Sequence, residues 1–276
     1  MSNHTSPRQG LICLGAFFVA GLLAFSPGTL AAQTKSKNAA GRLYVASLEG
    51  SAQINRGEKI EGLKVRGAYL AEGSILETEA KSTNALVYSN GTGLFVDPDT
   101  RLEVSRFSQE PFTPNRADLE VEPSVSQTET LVARGTIGLC TSKLVAGSSM
   151  KYSSTFGSVS VQGGKLVIVA DADETRISLL EGEALVRCGE LDLGGRMLRP
   201  GEQARIRRGA STATVGPIPP SELAQLNDKI FMACAARKTV YFETTGSETA
   251  PEIVAVPVVP ATVSPLNTVS PSQLPP

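Results

Sequence analysis

From Gly41 to about Val215 the chain alternates apolar and polar residues in short runs, each closed by glycine or another turn former. Runs of about four to eight residues with β-branched members, bounded in this way, predict an all-β domain. Leu43-Tyr44-Val45-Ala46 leads into Glu49-Gly50, and Ser51-Ala52-Gln53-Ile54 into Arg56-Gly57. The sharpest signal is Ala85-Leu86-Val87-Tyr88, then Ser89-Asn90-Gly91-Thr92-Gly93, then Leu94-Phe95-Val96. Asn-Gly supplies the positive φ angles of a tight turn, so a hairpin is expected here. The sequon Asn90-Gly91-Thr92 is sufficiently explained by that turn chemistry. A second β block is expected from about Leu131. It includes the alternating Ser158-Val159-Ser160-Val161-Gln162, a turn at Gly163-Gly164, a buried strand Lys165–Val169, a loop Asp171–Glu174 and a strand Arg176–Leu180. Between the blocks, residues 113–130 are polar, contain Pro114 and Pro123, and read as a surface loop. Leu48-Glu49-Gly50-Ser51-Ala52-Gln53-Ile54 echoes Leu180-Glu181-Gly182-Glu183-Ala184-Leu185-Val186, which suggests two similar strand–turn–strand units.

After Pro219-Pro220 the period changes. Leu223, Leu226, Ile230 and Cys234 recur at helical spacing, with Ser221 as cap, Glu222 in the first turn and Arg237-Lys238 in the last. A helix over 221–238 packing on the β domain is expected, followed by one short strand over Thr239–Glu243. From Gly246 to Pro276 the tail is nearly uncharged and Pro-rich, a composition that predicts disorder.

At the other end, Arg8 precedes the apolar run Leu11–Phe25, then Pro27-Gly28 and the small residues Ala31-Ala32. This is the layout of a secretory signal over 1–31, and its core is short for a membrane span. Cleavage after Ala31 would remove His4, the one histidine of the chain, and with it Ser-His-Asp or Cys-His catalysis and His-bearing metal sites. Carboxylates, lysines and tyrosines remain. Cys140, Cys188 and Cys234 survive cleavage without a C-x-x-C pair. In an oxidising compartment two of them could pair, and sequence does not select which. With Lys+Arg 26 against Asp+Glu 27 there is no cationic footprint for nucleic acid.

The stretch Gly41–Phe107 resembles the front half of a FecR domain. The likeness rests on Glu49-Gly50-Ser51-Ala52, the leader Val65–Thr78, the turn Asn90-Gly91-Thr92 and the closing strand Asp99–Val104. Tyr152–Val186 resembles the back half more loosely, with Thr155-Phe156-Gly157 and Val161-Gln162-Gly163-Gly164 at the family's motif positions. The resemblance implies a β-sandwich or β-roll of the kind that senses a transporter in the periplasm. FecR itself spans the membrane and acts on a sigma factor through a cytoplasmic segment. The ten residues before this chain's apolar run are too few for such a segment, so the extracytoplasmic module alone is implied.

The expected protein is therefore a mainly β, FecR-like sandwich or roll (41–215) with one C-terminal helix and a disordered Pro-rich tail. It would be a non-enzymatic binding or scaffolding protein of the periplasm or outer envelope, with other envelope proteins as partners and no cofactor. Two alternatives stay open: a membrane-anchored FecR-type signal transducer if the leader is uncleaved, and a carboxylate-dependent envelope hydrolase. Asp97-Pro98-Asp99 and Asp171-Ala172-Asp173-Glu174 lack the spacing of a dedicated calcium loop and read as solvated turns. Arg205, Arg207 and Arg208 read as a charged strand end. No catalytic, cofactor or metal residue is singled out.

Overall fold

Buried and exposed side chains alternate along almost every extended segment, and that alternation fixes which face of each strand turns inward. The computed structural model describes residues 38–57, 59–113, 119–189, 192–247 and 250–258. The expected leader, 1–31, lies outside them, as does the tail beyond Val258. Among the described residues no helix is long and apolar enough to cross a membrane.

In chain order the first strands are β1 (Ala39–Ala40), β2 (Arg42–Glu49), β3 (Ala52–Arg56), β4 (Lys59–Gly62), β5 (Ala68–Leu70), β6 (Ser74–Thr78), β7 (Thr83–Tyr88), β8 (Gly93–Val96) and β9 (Arg101–Gln109). Then come β10 (Ser126–Thr141), β11 (Ser149–Ser153), β12 (Ser158–Ala170), β13 (Glu174–Arg187), β14 (Arg196–Leu198), β15 (Glu202–Arg207) and β16 (Thr214–Pro217). Helix α1 (Pro220–Arg237), β17 (Val240–Ser247) and β18 (Ala250–Pro257) complete the described chain. The fold is mainly β with one helix.

Strands β1 to β16 join in one sheet, whose main path runs β16-β15-β13-β12-β11-β10-β8-β7-β2-β5. The long strands carry the chain from one part of the sheet to another. The first half of β10 pairs with β9 and, in parallel, with β11; its second half pairs with β8 and β12. Folded in this way, the sheet encloses one large apolar core that includes Leu43, Ile54, Leu86, Leu102, Leu139 and Leu166.

Several sequence expectations change here. Gly163-Gly164 is a bulge within continuous strand β12 and not a turn. Gly164 lies opposite Gly182 of β13, and a Cβ on either would sit 2.0 Å from a carbonyl oxygen across the ladder. Two backbones meet where no side chain fits, so the strands cross the kink without breaking. Gly50, by contrast, ends β2, so the sequence echo does not become a repeated unit. The polar stretch is shorter than expected, because β10 begins at Ser126 and turns Ser126, Thr128 and Thr130 into the interior. The tail also begins later. Residues 246–247 and 250–257 belong to the hairpin β17–β18, in which Ile253 is buried against Tyr44, Val87 and Phe242. Pro251 and Pro257 fall near the two ends of β18, where a missing N–H is tolerated.

Helix α1 starts one residue earlier than expected. Pro219 occupies the cap position with no side-chain cap, and Ser221 lies inside the first turn. Proline at the first helical position presets φ and leaves no donor unpaired. The buried stripe is Leu226, Ile230, Ala233, Ala236 and Arg237, while Leu223 is 38% exposed. Leu226 and Ile230 pack with Ile218 on Val167 of β12.

The helix lies directly on sheet backbone. A Cβ on Gly93 of β8 would meet the Ala233 carbonyl oxygen at 2.0 Å, and one on Gly138 of β10 would meet Lys229 Cβ at 3.0 Å. At its middle, Lys229 Nζ donates to Asp97 Oδ2 at 2.5 Å. At its start, Glu222 accepts from Gln203 Nε2 at 2.9 Å and from Arg205 Nη2 at 3.5 Å. Near its end, Cys234 is joined to Cys140 of β10.

Candidate functional site

The disulfide resolves the pairing left open by sequence. Cys140 and Cys234, 94 residues apart, are bonded, while Cys188 is a buried free thiol that donates to the Ala210 carbonyl at 3.1 Å. Burial and the nearby Asp192 carboxylate push the Cys188 thiol pKa up, which keeps it protonated and unreactive. Gly93 pairs with Cys140 in the ladder, so the staple forms beside the point where helix and sheet backbones touch.

Between the end of α1, strand β7, strand β17 and the residues Phe112, Leu119 and Val121 lies a pocket of about 630 Å³. Its walls are largely apolar, from Val87, Phe112, Val121, Val240 and Phe242. Its polar groups include Ser89, Asn90, Thr113, Glu122, Ser142 and Tyr241, with Arg237 and Lys238 at the helix end. A volume in the range of about 300–1,000 Å³ with apolar walls and few polar groups is typical of small-molecule sites.

Arg237 is 8% exposed. Its Nη2 donates to the Leu119 carbonyl and to Ser142 Oγ, and its Nη1 lies 3.5 Å from the Cys140 sulfur. Among the described residues its Nε has no partner. Burial pulls its pKa down from the ordinary arginine value, because desolvation disfavours the charged form. Glu122 is also buried. One of its oxygens accepts from Ser126 Oγ and the other from the Val145 N–H, each at 2.8 Å. Desolvation nevertheless outweighs these bonds and raises its pKa.

The Asn90 turn borders this pocket in a form different from the expected one. Of its residues only Gly91 has a positive φ, +85°. The turn closes through Tyr88 N–H to the Thr92 carbonyl at 2.8 Å, and Asn90 uses its side chain instead of a left-handed backbone. Its Oδ1 accepts from the Thr92 N–H and its Nδ2 donates to Ser126 Oγ, each at 3.2 Å. At 1% exposure the sequon asparagine is inaccessible to glycan transfer.

Most of the other sequence candidates are engaged in ion pairs. Asp97 meets Lys229; Asp171 and Glu174 meet Arg176; Asp173 meets Arg208. Arg205 reaches Glu222 and Arg207 reaches Glu174, so the basic cluster is matched by acid. Among the described residues no group of three or more His, Cys, Asp or Glu side chains could hold a metal. Sequence reasoning missed Arg237, taking it as a partner for the helix dipole. The spacing Leu226, Ile230, Ala233, Arg237 (four, three, four) places it on the buried stripe and was the available signal.

No family model and no curated protein matches this chain. Solved structures that resemble it include two crystal structures, both described as "a putative anti-sigma factor from Parabacteroides distasonis ATCC 8503". The first has a TM-score of 0.40 and 13% identity, over 54% of this chain and 62% of that one. The second has a TM-score of 0.39 and 10% identity, over 65% of this chain and 98% of that one. The chain thus spans less than two thirds of the first neighbour's length.

Proposed function

We propose that this protein is an exported, non-enzymatic, FecR-like binding and scaffolding module of the cell envelope, acting through contacts with other envelope proteins. The observation that carries the reading is the Cys140–Cys234 bridge between α1 and β10. Such bonds form and persist in oxidising compartments and are rare in the cytosol, which agrees with the leader-like pattern of residues 1–31. The lack of histidine after the expected cleavage point supports a role in presenting surfaces over one in moving protons. The outward side of α1 supplies one such surface: Phe231 is 71% exposed and Met232 stands beside it. Exposed apolar side chains on a rigid element favour protein contact.

The test is a pull-down from envelope extract with the mature chain and with Phe231→Asp. The reading expects a discrete set of envelope proteins on the wild-type chain, reduced by the substitution. Identical recovery from cytosolic and envelope extracts, unaffected by Phe231→Asp, would overturn it.

A further inference from the structure

The pocket at the end of α1 contains a buried cation with no counter-ion among the described residues. Among the described residues the Arg237 guanidinium meets only neutral groups, namely the Leu119 carbonyl, Ser142 Oγ and a disulfide sulfur, and its Nε–H has no acceptor. An uncompensated buried charge is costly, and a ligand anion is one way of compensating it. Glu122, in the same lining, makes no ion pair with Arg237 among the described residues; its oxygens accept from Ser126 Oγ and the Val145 N–H. Lys238 adds a second, exposed positive charge to the lining. Most of the remaining surface is apolar, with neutral hydroxyl and amide groups among it.

We propose that this pocket binds a small aliphatic monocarboxylate, with its carboxylate against Arg237 and Lys238 and its hydrocarbon body along Val87, Phe112, Val121 and Phe242. A single carboxylate matches the one buried charge, that of Arg237. A phosphate would demand more donors than a guanidinium already committed at Nη2 has left. The site is distinct from the outward face of α1, so it stands or falls separately from the recruitment of protein partners.

The test is calorimetric titration of the full mature chain, oxidised, with decanoate, decanol and decylamine below their micellar concentrations. Decanoate is expected to bind, decanol to bind at least about tenfold more weakly for loss of a charge-assisted hydrogen bond, and decylamine not to bind. Arg237→Met is expected to remove the preference for acid over alcohol while leaving decanol affinity unchanged. Should that variant fail to fold, the three-ligand series on the wild-type chain decides the matter. Equal affinity for acid and alcohol, no binding of decanoate, or an acid preference that survives in folded Arg237→Met would each overturn the assignment. Any of these results leaves the envelope pull-down to be judged separately.

Discussion

Removing the Cys140–Cys234 bridge relaxes the largest constraint on how α1 meets the sheet. The bond closes a loop of 94 residues, from the end of β10 through β16 and most of the helix. Loop-closure entropy in the unfolded chain for a ring of that size corresponds to about 4.7 kcal/mol, and native disulfides typically deliver about 2–5 kcal/mol. Cys140→Ala with Cys234→Ala should therefore lower unfolding free energy by about 3–4 kcal/mol, much of the margin of an ordinary domain. The assay is guanidinium denaturation followed by far-ultraviolet circular dichroism, on the oxidised wild type, the reduced wild type and the double variant. The two thiol-free or reduced forms should shift together, and amide exchange should accelerate most in α1. Cys188→Ser should keep the wild-type sensitivity to reductant, because Cys188 is outside the bridge. A difference below about 1 kcal/mol between oxidised wild type and double variant would refute the view that the bridge carries this constraint.

Three further perturbations probe separate parts of the account. Gly93→Ala would place a methyl group 2.0 Å from the Ala233 carbonyl oxygen; overpacking of this kind should cost about 1–3 kcal/mol, read as a lower denaturation midpoint, and an unchanged midpoint would mean the helix is not seated on β8. Glu122 has its pKa raised by burial above the ordinary value of 4.5, so the folded chain holds that proton more tightly than the unfolded one. Its contribution to stability is complete below 4.5 and is lost as pH rises through the folded-state value; Glu122→Gln should flatten this decline in urea midpoints, and parallel curves would contradict it. The Tyr152 hydroxyl is buried without a hydrogen-bond partner among the described residues. Tyr152→Phe should leave the midpoint within about 1 kcal/mol of wild type or raise it, whereas a loss above about 2 kcal/mol would mean that the hydroxyl is satisfied by an ordered water.

What sequence could reveal follows the range of the interaction involved. Period-two alternation is local, so strands such as Ser158–Gln162 and the hairpin around Asn90-Gly91 were legible. The form of the Asn90 turn was not, because it depends on Ser126, which β10 brings from 36 residues away. Gly163-Gly164 read as a turn because glycine pairs usually punctuate strands; only the facing Gly182 makes them a bulge. Strand β18 was hidden by its prolines, although Ile253 already marked an inward position. The cysteine pairing depends wholly on where α1 lies over β10, and no local pattern encodes that. Arg237 shows the reverse case. Its place on the helix stripe was available from spacing alone, but an arginine near a helix C-terminus has a ready surface explanation.

The measurement that bears most directly on the central claim is a non-reducing peptide map of the protein recovered from its native cells. The account predicts a cross-linked peptide pair carrying Cys140 and Cys234, a thiol at Cys188 that alkylates only after denaturation, and a mature N-terminus at Ala32 or close to it. Free thiols at Cys140, Cys188 and Cys234 on a chain that retains its leader would contradict it.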